Sequence, residues 1–203
     1  MRLVLASASP RRRGLLETAG LTPRVWPADV DESVRPGEAP VAYAVRVASE
    51  KACAVAARPE HAGAWVLAAD TVVHLDGTIF GKPADRPHAE QMLGALSGRW
   101  HTVTTAWALH RAGEVGSEPA AGPTSGAESS QVRFRELPSA TIEAYTRSGE
   151  SADKAGAYGI QGLGAALVAE VRGSYSNVVG LPMEAVMEAL ATRGIHPGAR
   201  SRP

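Results

Sequence analysis

Leu3-Val4-Leu5-Ala6-Ser7-Ala8-Ser9-Pro10-Arg11-Arg12-Arg13 opens the chain with an abrupt change of pattern. Arg2–Ala6 is a short apolar run of the kind a buried strand shows. Ser9 suits a helix N-cap, Pro10 its first turn and Gly20 its stop. Around that helix Leu15, Leu16 and Ala19 predict a buried stripe. Arg12 sits three, four and seven residues before them, so it points toward the interior or a cleft mouth, while Arg13 turns to solvent. A strand running straight into a helix start gathers free N–H groups, the positive helix end and the forked donors of Arg11 and Arg12 at one point, which suits phosphate. The plainer alternative is a capped helix with solvated arginines.

Outward from this stretch, residues 24–40 read as a loop holding Asp29, Asp31 and Glu32. A long helix is expected over 41–57, with Val41, Val45, Ala48, Ala52 and Val55 on one face and Lys51 at its edge, its head reaching into a groove. Residues 64–69 and 71–75 are apolar and β-branched, and Asp76-Gly77 signals a two-residue hairpin before Thr78–Phe80. Helices are expected near 87–97, 139–147 and 183–191, and strands over 100–110, 131–136 and 165–171. Residues 113–130, rich in Gly, Ala, Pro and Ser, read as a solvated loop. Residues 156–164 form a Gly-rich loop and 174–177 another loop. Helices alternate with strands that also pair through hairpins, so the expected fold is α/β, a mixed twisted sheet with flanking helices, as a single domain over 1–203 with a tail from 193.

The 203 residues suffice for a core without staples, and 21 basic against 21 acidic side chains give no pull toward nucleic acid or an anionic membrane. No apolar run is long enough to span a bilayer, and the start lacks the charge order of a signal peptide. With one cysteine, Cys53, expected to pack in its helix, the reading favours a reducing cytoplasm. The basic residues divide into 18 Arg and only 3 Lys. Lys51, Lys82 and Lys154 are therefore candidates for places that need a compact ammonium, with chance as the alternative.

Asp70, flanked by two apolar β runs, is out of place unless it has a partner, a metal or a catalytic task; capping a strand end is the structural alternative. Gly77-Thr-Ile-Phe-Gly81-Lys82-Pro83 is not a P-loop, since the glycine gap is short and Pro83 replaces Ser or Thr. It still sets Lys82 just beyond a hairpin that begins near Asp70. Asp153-Lys154-Ala-Gly156-Ala-Tyr158-Gly159-Ile-Gln161-Gly162-Leu-Gly164 lets backbone approach a ligand, with Gln161 offering a donor and an acceptor, or is only a tight irregular loop. Six histidines without ligand spacing argue against zinc, while Asp29, Asp31, Glu32 and Asp70 are oxygen donors suited to Mg²⁺ or Mn²⁺.

Taken in order, Leu5-Ala-Ser-Ala-Ser9-Pro-Arg11-Arg12, Ala69-Asp70-Thr71, Gly81-Lys82-Pro83, the Asp153–Gly162 segment and Asn177-Val-Val-Gly-Leu-Pro182 resemble the Maf family of nucleoside triphosphate pyrophosphatases. The similarity runs from Leu3 to Leu190, without residues 113–130. The Asp153–Gly162 segment resembles the subgroup acting on dTTP and UTP rather than that acting on 7-methyl-GTP. The resemblance implies two lobes around a cleft and hydrolysis of the α–β anhydride to a monophosphate and pyrophosphate, as house-cleaning of nucleotide pools, with a divalent metal. It implies Asp70 as proton acceptor, Arg11, Thr71 and Gln161 as specificity positions, and Ser9, Arg12, Lys51 and Lys82 as phosphate or nucleotide contacts. Glu32 and Asp70 are the implied metal ligands. The partner is then a nucleoside triphosphate, not nucleic acid or membrane, and a homodimer stays open. A regulator of cell division and septum formation with little turnover is the alternative, beside a phosphatase on another metabolite or a pyrophosphatase for a modified base.

Overall fold

The computed structural model describes residues 2–113 and 123–198. β1 (Leu3–Leu5) is buried along its length and pairs in parallel with β2 (Arg24–Val25) on one side and β3 (Trp65–Leu75) on the other, Val4 lying opposite Arg24 and Val66. β4 (Thr78–Phe80) folds back antiparallel on β3. The turn between them places Asp76 at φ 51° and Gly77 at φ 80°, the double left-handed conformation that a tight hairpin needs and that this residue pair tolerates. β5 (Trp100–Arg111), β6 (Thr124–Phe134) and β7 (Val168–Arg172) complete a seven-stranded sheet of order β2-β1-β3-β5-β6-β7, with β4 on β3. β7 runs antiparallel to β6, with a register shift at Arg133/Phe134. The sheet is thus mixed, as expected.

Six α-helices accompany it among the described residues: α1 (Pro10–Thr18), α2 (Pro40–Ala56), α3 (Arg86–Leu96), α4 (Ser139–Arg147), α5 (Tyr175–Val179) and α6 (Met183–Ala191). None is long and apolar enough to cross a membrane. The chain divides into two compact units: Met1–Asp70, Thr105–Ala127 and Gly180–Pro203 form one, and Thr71–Thr104 with Glu128–Val179 the other. In the first, Leu5 and Leu67 from the strands meet Leu16 of α1, Leu181 just before α6, Leu190 of α6, and Ile195 beyond it. In the second, α3 packs on α4, with the Thr146 hydroxyl donating to Glu90 at 3.0 Å. The fully buried Asn177 donates to the Val103 carbonyl and the Ser130 hydroxyl at 3.0 and 2.8 Å. His101, Phe134 and Tyr158 form an edge-to-face cluster, with the His101 Nε2 and Tyr158 hydroxyl 2.7 Å apart.

Several expectations need correction. Ser9 is the N-cap of α1, yet its side chain makes no capping bond; its N–H instead donates to Ser7 Oγ. The buried face of α2 is Ala44, Val47, Ala48, Lys51, Ala52 and Val55, so Lys51 lies at its centre, and Val41 and Cys53 are exposed. The stripe read from the apolar positions was rotated because alanines surround the whole helix. Asp70 does not end a strand: 65–75 is continuous. Residues 124–130 of the expected loop are strand β6, where alternation across a polar face replaces hydrophobic pattern; the rest of that reading, 114–122, lies outside the described residues. Residues 24–25 form a short strand, β7 begins only at Val168, and 175–179 is a helical turn.

Leu16 is fully buried, whereas Arg13 one turn earlier is 58% exposed and pairs with Glu17. Leu16→Ala should cost about 3 kcal/mol of stability, from lost transfer energy and the cavity left behind. Arg13→Ala should cost less than about 0.5 kcal/mol. Urea unfolding of both variants checks the pair.

Candidate active site

Val66 to Asp70 of β3 are all buried, and Asp70 is 6% exposed. A carboxylate at such a position requires a cation. Lys51 Nζ supplies it, donating to Asp70 Oδ1 at 2.7 Å while lying 2.8 Å from Glu32 Oε1. Two carboxylates therefore converge on one ammonium. Glu32 comes from the segment before α2, and side chains of α2 hold that segment in place. The Tyr43 hydroxyl donates to the Glu32 carbonyl at 2.9 Å. Arg46 donates to both oxygens of Glu38 at 2.6 and 2.8 Å and to the Ser33 carbonyl at 2.9 Å. The Arg46 hydrogen bonds hold the Glu38 carboxyl at about 2, far below the usual range, so the clamp is charged at any physiological pH. Burial, with the charges of Asp70 and Glu32, pushes the Tyr43 hydroxyl up to about 12.

Arg12 faces the same carboxylates. Its Nε donates to the Gly180 carbonyl at 2.8 Å and an Nη to Ser7 Oγ at 3.0 Å, so the turn after β1 and the start of α6's approach share one guanidinium. Burial pushes the Arg12 guanidinium below its ordinary value, the Asp70 charge pulls it back up, Arg11 pushes down again and Glu32 pulls up. Ser9, Arg11, Arg12, Glu32, Lys51 and Asp70 all belong to the first unit. Within it the structure brings Glu32, Lys51 and Asp70 into direct contact and Arg12 into their field. Ser7, Tyr43 and Arg46 support these residues and carried no signal of their own in the sequence beyond a place in a motif or a turn of helix.

Thr71, Lys82 and Gln161 belong to the second unit. Thr71 follows Asp70 on the opposite face of β3. Lys82 is exposed just after β4, where the Gly156 N–H donates to the Gly81 carbonyl at 3.0 Å and so joins the hairpin end to the Gly-rich loop. Gln161 is exposed in that loop, between short 3-10 turns at Ala155–Ala157 and Gly162–Leu167. Lys154 holds the loop: its Nζ donates to the Glu150 carbonyl and to Asp153 Oδ1.

The four-carboxylate metal set does not form. Asp31 Oδ1 accepts the Ser33 N–H at 2.8 Å in a local turn, and no group of three or more His, Cys, Asp or Glu among the described residues could hold an ion. Glu32 and Asp70 alone converge, and two carboxylates suit a magnesium-type ion that takes its other ligands from phosphate oxygens and water. The donor set fits a metal carried on a nucleotide.

A family model described as Maf-like protein matches residues 2–193. A dTTP/UTP pyrophosphatase of Anaeromyxobacter dehalogenans is 51% identical over 100% of this chain and 98% of its own. One of Hahella chejuensis is 49% identical over 96% of this chain and 93% of its own. Among solved structures, a nucleoside-triphosphatase / dITP/XTP pyrophosphatase of Mycobacterium abscessus overlaps 96% of this chain and 94% of its own at 18% identity, with a TM-score of 0.42. Family match and half-identity both run nearly the full length of the chain, and it belongs to the Maf family.

Proposed function

We propose that the chain is a nucleoside triphosphate pyrophosphatase that hydrolyses dTTP and UTP to the monophosphate and pyrophosphate. The observation that carries this reading is half-identity, over the whole chain, to relatives named dTTP/UTP pyrophosphatase. The buried Asp70–Lys51–Glu32 contact supports it chemically. In the proposed reaction Asp70 takes the proton of a water whose oxygen attacks phosphorus at the α–β bridge, and the bridging oxygen leaves on pyrophosphate. Lys51 holds the Asp70 carboxylate in one orientation while doing so. A divalent ion held by Glu32 and Asp70 would neutralise charge on the phosphates. Arg12 and the start of α1, with Ser9, bind phosphate oxygens, and Lys82 adds an ammonium. Arg11, Thr71 and Gln161 select the base: the Gln161 amide can meet both the N3–H and the carbonyl of thymine or uracil.

Asp70→Asn should keep the fold and nucleotide binding while kcat falls at least ~100-fold, since asparagine matches the shape but cannot take the proton. Single-turnover pyrophosphate release together with equilibrium binding of dTTP measures this, and more than about a tenth of the native kcat would exclude Asp70 as the base.

Lys82→Ala should lower kcat/KM for dTTP by about 10- to 100-fold, the effect of losing a hydrogen bond to a charged phosphate. An unchanged kcat/KM would remove Lys82 from the phosphate contacts.

Across dTTP, UTP, dCTP, dATP and dGTP, steady-state kcat/KM should be highest for dTTP and UTP. Gln161→Glu should cost about 1–3 kcal/mol with those two and less with purines, because it leaves a base carbonyl unpaired and adds a charge. Purines in the lead would overturn the pyrimidine assignment.

A further inference from the structure

Gln161 stands on a loop that is held from beneath by a side chain with no part in the reaction proposed above. The Glu150 carboxylate accepts the Leu163 N–H at 2.9 Å through one oxygen and the Gly164 N–H at 2.9 Å through the other. These are the free N–H groups that open the 3-10 turn Gly162–Leu167, for which Gln161 is the N-cap and makes no side-chain cap of its own. The Tyr145 hydroxyl donates to Glu150 Oε1 at 3.1 Å and accepts the Gly159 N–H at 3.3 Å. Both ends of the 159–164 turn are therefore tied to one Tyr145–Glu150 pair, and Gln161 lies midway. At Gly164 a Cβ would come within 2.1 Å of the Gly159 carbonyl, so the two ends of the turn touch. The Lys154 stem lies against Gly159 and its ammonium on the Glu150 carbonyl, closing the ring. Against the upward push of partial burial, the Gly164 and Leu163 N–H groups, the Tyr145 hydroxyl and the Lys154 charge hold the Glu150 carboxyl below the usual range, so near neutral pH it is the acceptor for both N–H groups and the hydroxyl.

We propose that Glu150, with Tyr145, is a positioning residue for base selection: it fixes the turn that presents the Gln161 amide at one height and so admits a pyrimidine ring in preference to a purine. The inference rests on the reading of Gln161 as the base contact. An amide on a slack loop retreats before a larger ring and loses its preference; an amide on a pinned turn cannot. Glu150→Gln replaces one acceptor oxygen by an NH₂ group, which faces a donor where an acceptor is needed, and Tyr145→Phe removes the link between Glu150 and Gly159.

The test compares kcat/KM for dTTP and dGTP in the full-length protein, its Glu150→Gln, Tyr145→Phe and Gln161→Ala variants, and the Glu150→Gln/Gln161→Ala double variant, with thermal unfolding of each. The expected result is about a tenfold drop in the dTTP:dGTP ratio for Glu150→Gln, carried mainly by KM for dTTP, as for a misplaced binding group. Tyr145→Phe should shift the ratio in the same direction, and the double variant should discriminate no worse than Gln161→Ala alone. A loss in Glu150→Gln that falls equally on both nucleotides, or that adds to that of Gln161→Ala, overturns the proposal and leaves Glu150 as a fold residue. If Gln161→Ala itself keeps the native ratio, the base-reading assignment of Gln161 fails, and the positioning role with it. The single Gln161→Ala variant thus separates the two failures.

Discussion

An ammonium flanked by two carboxylates, Lys51 between Asp70 and Glu32, is the contact on which the first unit's architecture turns. Isolated, either Asp70 or Lys51 would be costly to keep away from water, and removing one partner leaves the other's charge uncompensated. Together they allow β3 to run uninterrupted through a charged residue at the centre of the sheet. The same demand orients α2, because the helix must bring Lys51 to the strand, and this displaces Val41 to the surface. It also explains why the segment around Glu32 is clamped by Tyr43 and Arg46, since a carboxylate that closes a charge cluster must not wander.

The scarcity of lysine makes sense in the same terms. In a chain with 18 arginines, an ammonium persists where two acceptors must be met by one nitrogen at 2.7 and 2.8 Å. A planar guanidinium would distribute its donors over a wider fork and separate the two carboxylates. Lys154 shows the same geometry at a smaller scale, with a backbone carbonyl and the Asp153 carboxylate on one nitrogen. Arg12 and Arg46 show the converse: each spreads its fork over separate acceptors.

Much of the fold was legible because the signals were local. Ser139–Arg147 and Met183–Ala191 begin and end where the pattern placed them, and Asp76-Gly77 turns the hairpin as its chemistry requires. The phase of α2 was not legible, since alanine is compatible with either face and only the tertiary demand of Asp70 selects one. The second half of strand β6 was read from its pattern, but residues 124–130 were hidden because they are small and polar, like a solvated loop. At the site, Asp70 announced itself by being misplaced among apolar neighbours, and Arg12 by its helical phase. Glu150 gave no such sign: a glutamate after Gly149 is ordinary until its two oxygens are seen on successive backbone N–H groups.

Asp70 and Thr71 are consecutive residues on one continuous strand, the last of the first unit's opening stretch and the first of the second's. Pleating sends their side chains to opposite faces, so substituting one leaves the other's backbone untouched, whereas inserting or deleting a residue in β3 exchanges both at once. Divergence within such a lineage is therefore channelled: the neighbour of the carboxylate can vary by point replacement, but no change in strand length can reach it without dislodging the carboxylate from its lysine. The residue beside Asp70 can thus be exchanged while the Asp70–Lys51 contact, 2.7 Å long, stays where the strand puts it.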